Sequence, residues 1–213
     1  MGSPRSLPKP ESSRARRQRS ARCPWCGSDP LYVAYHDREW GVPVTDDRAL
    51  FEKLVLDGFQ AGLSWITVLR KRAAFTRAFA RFDPERIARF GAADRRRLLA
   101  DASIIRSRAK IDAAIGNARI WIDVMNAGGR GAFRDLLWQS VHHETQVHRY
   151  RSIREVPPTS RESEVMSRTL RDAGFRFCGP TICYAFMQAV GMVNDHLVTC
   201  QRHEACERIA RRG

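Results

Sequence analysis

In the run Asp46-Asp47-Arg48-Ala49-Leu50-Phe51-Glu52-Lys53-Leu54-Val55-Leu56-Asp57-Gly58-Phe59-Gln60-Ala61-Gly62-Leu63-Ser64-Trp65, two aspartates precede large apolar residues at positions 50, 51, 54 and 55. That spacing predicts a helix with one buried face. A carboxylate just ahead of the first turn accepts N–H groups that have no partner inside the helix, so Asp46 and Asp47 mark the start. The loop Phe59-Gln60-Ala61-Gly62-Leu63 follows, and Trp65 opens the next segment.

Helix signals repeat on both sides of this run. Asp83-Pro84 is a cap followed by proline at the first helical position, and Thr159 with Glu162 fits a capping box before a helix ending at Gly174. Ile104 to Met125 and Thr181 to Val193 have helical apolar spacing, and no segment alternates apolar and polar residues between hairpin turns. The expectation is an all-α fold without an internal repeat. The 213 residues, 43% hydrophobic, suffice for one domain with its own core. The most apolar run, Thr181 to Val193, is short and interrupted by Gln188, so it reads as a buried core helix and not a membrane span.

The formal net charge of +14 favours a polyanionic partner. Residues 1–22 carry Arg5, Lys9, Arg14, Arg16, Arg17, Arg19 and Arg22 against Glu11 alone, with almost no large apolar side chains. Such a segment cannot repay its folding entropy, and we assign it as a disordered basic tail. It lacks an apolar core of the kind secretory signals have, so a cytoplasmic protein with reduced cysteines is expected. The domain is read over 23–202, with a charged C-terminal extension over 203–213.

Tyr32, Tyr35, His36, Trp40 and Trp65 cluster in sequence around the acidic Asp57. Aromatic faces beside one carboxylate in a basic chain suit the stacking of a nucleobase. Separately, His196 and Cys200 are spaced by one helical turn and form half of a tetrahedral metal site. The other half is Cys23 with either Cys26 or His36. Cys178 and Cys183 read as buried thiols, and Cys206 as incidental.

Several segments together resemble the DNA-3-methyladenine glycosylase I family: Cys23-Pro24-Trp25, Asp29-Pro30-Leu31-Tyr32, Tyr35-His36-Asp37, Glu39-Trp40-Gly41-Val42-Pro43, Gln60-Ala61-Gly62-Leu63-Ser64-Trp65, Ile104-Ile105-Arg106, Lys110-Ile111, Thr181-Ile182-Cys183-Tyr184 and Val193-Asn194-Asp195-His196. Their order and spacing agree from about Cys23 to Cys200. The resemblance implies an all-helical, helix-hairpin-helix glycosylase that acts as a monomer on double-stranded DNA containing alkylated bases. It implies one structural zinc per chain on Cys23, His36, His196 and Cys200, which leaves Cys26 surplus.

On matching positions the resemblance places Asp57, Tyr35 and Trp65 at the reaction centre, and Trp25, Tyr32, Trp40 and Leu63 against the substrate. It places Gln60, Gly62, Arg106, Arg108 and Lys110 on DNA. Tyr32 has an alternative reading as core, Leu63 as an ordinary core contact in place of a wedge, and Asp57 as a cap of the turn before Gly58. Asp57 stands where the family has a glutamate, one methylene longer. Ser103 and Ala109 stand where the family often has glycine, so Ser103 would be strained if the turn demanded positive φ. These departures motivate a second expectation, a zinc-stabilised protein that binds alkylated DNA and excises weakly or with altered preference.

Overall fold

The computed structural model describes residues 21–212. Among them are ten α-helices: α1 (Pro30–Arg38), α2 (Asp47–Gln60), α3 (Trp65–Ala78), α4 (Pro84–Ala88), α5 (Ala92–Ala100), α6 (Arg108–Gly128), α7 (Ala132–Trp138), α8 (Arg161–Asp172), α9 (Pro180–Ala189) and α10 (Gln201–Ala210). The tail read over residues 1–22 lies outside the described residues up to position 20. Ala21 and Arg22 are held: Ala21 bridges to Cys200, and Arg22 pairs with Asp37 at 2.8 Å.

Helix α2 is the hub. Its N-cap Asp46 accepts from the backbone N–H groups of Arg48 and Ala49, while Leu50, Phe51, Leu54, Val55, Leu56 and Phe59 are all buried. These side chains pack against α3, α6, α7 and α9, so α2 meets neighbours over most of its circumference. That explains why Leu56 and Asp57, off the apolar face expected from sequence, are buried as well. Asp47 differs from its expected role. Its carboxylate reaches across the fold and accepts from the N–H groups of Gly131 and Arg134, 2.8 Å each, at the start of α7.

Three other starts are shifted or refined. Pro84 opens α4 behind Asp83, as expected, with Asp83 accepting from Arg86 N–H. The capping box of α8 is formed by Ser160 and Ser163, one residue beyond the predicted pair, because both serine hydroxyls reach the backbone there. The helix expected from Ile104 begins at Arg108, capped by Ser107; Ile104 is buried in the preceding turn. Ser103 in that turn does not adopt positive φ, and its N–H and hydroxyl both donate to Asp101 Oδ1. The turn therefore accepts serine without backbone strain.

The all-α expectation misses one small feature. β1 (Gln146–Val147) and β2 (Val193–Asn194) form a two-residue parallel pair, too short to leave an alternating pattern. It follows the turn that ends α9. Gly191 there has φ +71°, and a Cβ would lie 2.4 Å from Pro43 N, so only glycine admits the loop over Val42–Pro43. At the C-terminus, the boundary read at 202 falls inside α10, whose His203 and Cys206 are buried.

The Asp47 cap yields a direct test. Asp47→Ala leaves two N–H donors of α7 without their acceptor and is expected to cost about 1–2 kcal/mol of stability by urea denaturation. An unchanged midpoint would contradict the cap.

Candidate functional site: an aromatic cavity beside a cysteine–histidine cluster

Cys23, His36, His196 and Cys200 are brought together from the two ends of the described chain, all four buried, with their ligand atoms within 4.8 Å of one another. His36 comes from α1, His196 from the turn after β2, and Cys200 from the N-cap of α10. Cys23 Sγ lies 3.6 Å from His196 Nδ1, and Cys200 Sγ lies 3.5 Å from both His36 Nε2 and His196 Nδ1. A tetrahedral metal with zinc-type bond lengths places sulfur and nitrogen about 3.5 Å apart, so the spacing fits.

The outer partners fit as well. His36 Nδ1 lies 2.8 Å from Asp37 Oδ1, and His196 Nε2 donates to Trp40 O at 3.0 Å, which turns the opposite nitrogens toward the cluster. Leu197 N–H and Arg202 N–H each donate to a cysteine sulfur at 3.4 Å. The hydrogen bond from Cys23, with those of His196 and His36, holds the Cys200 thiol far below its usual range. Such a set can hold one metal ion, and four protein ligands leave it no open position for catalysis. Cys26 is buried outside the set, and Cys178 and Cys183 are buried thiols as expected. Cys206 is not incidental: it is buried in α10, near the cluster and against Gly41.

The two imidazoles support aromatic rings. Trp40 packs edge-on to His196 at 4.5 Å and parallel to His36 at 6.3 Å, and Trp25 meets Trp40 at 4.9 Å and Tyr32 at 5.0 Å. Tyr35 and Trp65 pack at 5.4 Å. These five rings line one cavity of about 370 Å³ together with Lys53, Gln60, Tyr184, Gln188 and Asp195. Tyr32 is thus part of the wall and not of the closed core. The indole N–H groups of Trp25 and Trp65 are buried without a partner among the described residues.

Asp57 is placed differently from the expectation. It is fully buried and does not line the cavity; Lys53, one turn earlier on α2, lies there instead. Lys53 Nζ is bonded to Asp57 Oδ1 and sits 3.9 Å from the centre of the Trp65 ring, while Asp57 Oδ2 has no partner among the described residues. Burial pushes the Asp57 carboxyl up and the Lys53 ammonium down, and their mutual attraction opposes both shifts. Lys53 Nζ is thus held between the Asp57 carboxyl and the face of the Trp65 ring. Asp57 does not cap the turn at Gly58 through a side-chain bond.

Asp195 is a wall residue that sequence reasoning passed over, although it lies in a quoted motif. Its Oδ2 accepts from Tyr184 Oη at 2.7 Å and Gln188 Nε2 at 2.8 Å, and its Oδ1 lies 2.6 Å from His148 Nδ1. That hydrogen bond raises the His148 pKa.

Below the cavity, Gly62 has φ +78° and turns the loop so that Leu63 is 42% exposed, which excludes the core reading of Leu63. Arg106 and Arg108 are exposed around the α5–α6 turn. Lys110 is not free for an outside partner in the same way. Its Nζ donates to Phe59 O at 2.9 Å and Ala61 O at 2.6 Å, tying the Leu63 loop to α6.

Comparison with known proteins agrees with this architecture. The methyladenine glycosylase family model matches residues 25–203. This chain belongs to the methyladenine glycosylase family. It is 50% identical over 179 residues to DNA-3-methyladenine glycosylase 1 of Escherichia coli (strain K12), covering 84% of this chain and 95% of that protein. A crystal structure of 3-methyladenine DNA glycosylase I superposes with a TM-score of 0.84 at 48% identity, covering 86% of this chain and 100% of the other. A variant of 3-methyladenine DNA glycosylase I crystallised in complex with 3-methyladenine superposes with a TM-score of 0.81 at 32% identity, covering 85% and 97%. No helix among the described residues is long and apolar enough to cross a membrane.

For the cluster, elemental analysis of protein purified without chelator is expected to find about one metal ion per chain. His196→Ala is expected to lose the ion and to unfold at a lower temperature. Wild-type protein free of metal would contradict the site.

Proposed function

We propose that this chain is a monofunctional DNA glycosylase that hydrolyses the N-glycosidic bond of 3-methyladenine in alkylated DNA and leaves an abasic site. The observation that carries the reading is the cavity lined by Trp25, Tyr32, Tyr35, Trp40 and Trp65, in a chain half identical to a DNA-3-methyladenine glycosylase. A base inside the double helix is out of reach, so the nucleotide has to be flipped into such a cavity. Stacking on aromatic faces contributes about 1–3 kcal/mol per base, and a 3-methylated adenine nucleotide adds cation–π attraction through its positive charge.

That charge also simplifies the chemistry. The cationic base departs as a neutral molecule and needs no strong acid, so capture of the base and exclusion of bulk water do much of the catalysis. Asp57, with its unpaired Oδ2, becomes the acceptor for the exocyclic amine once Lys53, which stands between it and the cavity, moves aside, and Tyr35 and Trp65 hold the ring. Leu63, exposed on its loop, fills the gap left by the flipped nucleotide. Gln60 and Gly62 in that loop, with Arg106 and Arg108 at the α5–α6 turn, contact the DNA; that turn serves as the hairpin of a helix-hairpin-helix. Lys110 acts from within, by holding the loop against α6.

Zinc is the metal that suits two thiolates and two imidazoles in a closed tetrahedral site; bound there, it supplies folding stability and no reaction step. A monomer in the cytoplasm, drawn to the nucleoid by its net positive charge, completes this reading.

Protein incubated with N-methyl-N-nitrosourea-treated DNA is expected to release 3-methyladenine above a no-enzyme control. Trp65→Ala is expected to slow release by about tenfold or more, the loss of one stacking face. Tight DNA binding without any base release would overturn the reading in favour of a damage-binding protein.

A further inference from the structure

Lys53 lines the aromatic cavity beside Trp65. Its ammonium lies on the Trp65 face and against Asp57 Oδ1, and it separates the buried carboxylate from the cavity. An ammonium carries three N–H donors and no acceptor. Asp57 Oδ1 is the one hydrogen-bond partner of Lys53 Nζ among the described residues, which leaves donors to spare at the cavity wall. Asp195, the carboxylate that lines the cavity, is already engaged by Tyr184, Gln188 and His148. The polar end near Trp65 therefore presents a donor where an amine-bearing base requires an acceptor.

We propose that Lys53 is a specificity-determining residue that widens the pocket from 6-aminopurines toward 3-methylated purines carrying a 6-oxo group. The proposal rests on the base-excision reading above and refines its substrate range. An oxo group accepts from Lys53 while the ammonium keeps its contact with Asp57 and Trp65. An exocyclic amine cannot: it has to reach Asp57, and the ammonium has to leave.

Room for that movement exists. A second cavity of about 380 Å³ lies on the other side of the same wall, lined by Lys53, Tyr35 and Trp65 and also by Glu39 and Glu52. Glu39 is paired with Arg72, and Glu52 lines this second cavity beside Lys53. A withdrawn Lys53 meets a carboxylate there, and 3-methyladenine remains a substrate at the cost of that displacement. Free 3-methyladenine and 3-methylguanine also differ at the 2-amino group and N1, so the change in their affinity ratio on substitution of Lys53, and not the ratio itself, reports on Lys53.

Binding of free 3-methylguanine and free 3-methyladenine, read by quenching of tryptophan fluorescence, tests this in the wild type, Lys53→Met and Lys53→Arg. Replacement by Met is expected to lower the ratio of 3-methylguanine to 3-methyladenine affinity by about tenfold or more, the value of one charge-assisted hydrogen bond. The arginine variant, which keeps charged donors, is expected to retain most of the wild-type ratio. If the methionine variant does not fold, as judged by circular dichroism, Lys53→Gln takes its place with the same expected direction. A ratio unchanged by removal of the ammonium would overturn the proposal. So would an equal fall in the arginine variant, which would make side-chain shape and not donation the cause. This result is independent of catalysis: absence of base release from methylated DNA overturns the glycosylase reading, whereas the affinity ratio decides the role of Lys53.

Discussion

The four-residue cluster of Cys23, His36, His196 and Cys200 is the constraint on which the functional end of the molecule depends. It joins Cys23, ahead of α1, to Cys200, at the start of α10, 177 positions later. Closing so long a loop is costly for an unfolded chain, and a ligand set that forms only in the folded state would return that cost on binding a metal ion. The same imidazoles then serve a second purpose. His196 fixes the Trp40 carbonyl and packs edge-on to its ring, and Trp40 in turn supports Trp25. The clamp at the ends of the chain is thereby continuous with the aromatic wall.

From the other side the cavity is built on α2. Because this helix is enclosed by α3, α6, α7 and α9, its residues from Lys53 to Phe59 are held to one position, including the titratable Lys53 and Asp57. Burying a carboxylate costs several kcal/mol unless a partner is supplied, and Lys53 supplies it one helical turn away. The pair is tolerated because it is nearly self-contained, yet Lys53 keeps spare donors at the cavity wall and Asp57 Oδ2 is buried behind it without a partner among the described residues. An arrangement of that kind is poised for a polar ligand. Lys110 extends the same support outward by gripping the carbonyls that end α2, so the exposed Leu63 is carried on a loop fixed at both sides.

Much of this was legible in the sequence. Helix starts followed from Asp46 and from Asp83-Pro84, since caps act locally and their residue types are few. The metal set was half legible: His196 and Cys200 follow from spacing, but the choice of His36 over Cys26 came from the resemblance to a known family. Side chains that work across the fold were not legible. Asp47 caps a helix more than eighty residues away, Lys110 turns inward to two carbonyls, and the short β1–β2 pair leaves no period. Lys53 is the instructive case. Its spacing to Asp57 is that of an ordinary surface ion pair, and only the enclosure of α2 turns it into the gatekeeper of a cavity. Asp57, expected to face the base, consequently lies behind it.

The chain has five tryptophans, and their placement offers an internal control. Trp25, Trp40 and Trp65 line the cavity, whereas Trp121 and Trp138 are buried elsewhere in the core. Titration of the protein with 3-methyladenine, followed by the indole N–H resonances in NMR spectra, tests most directly whether this cavity is the base pocket. The account predicts saturable shifts at Trp25, Trp40 and Trp65 with Trp121 and Trp138 unmoved. Shifts confined to Trp121 or Trp138, or none at any of the five, would contradict it.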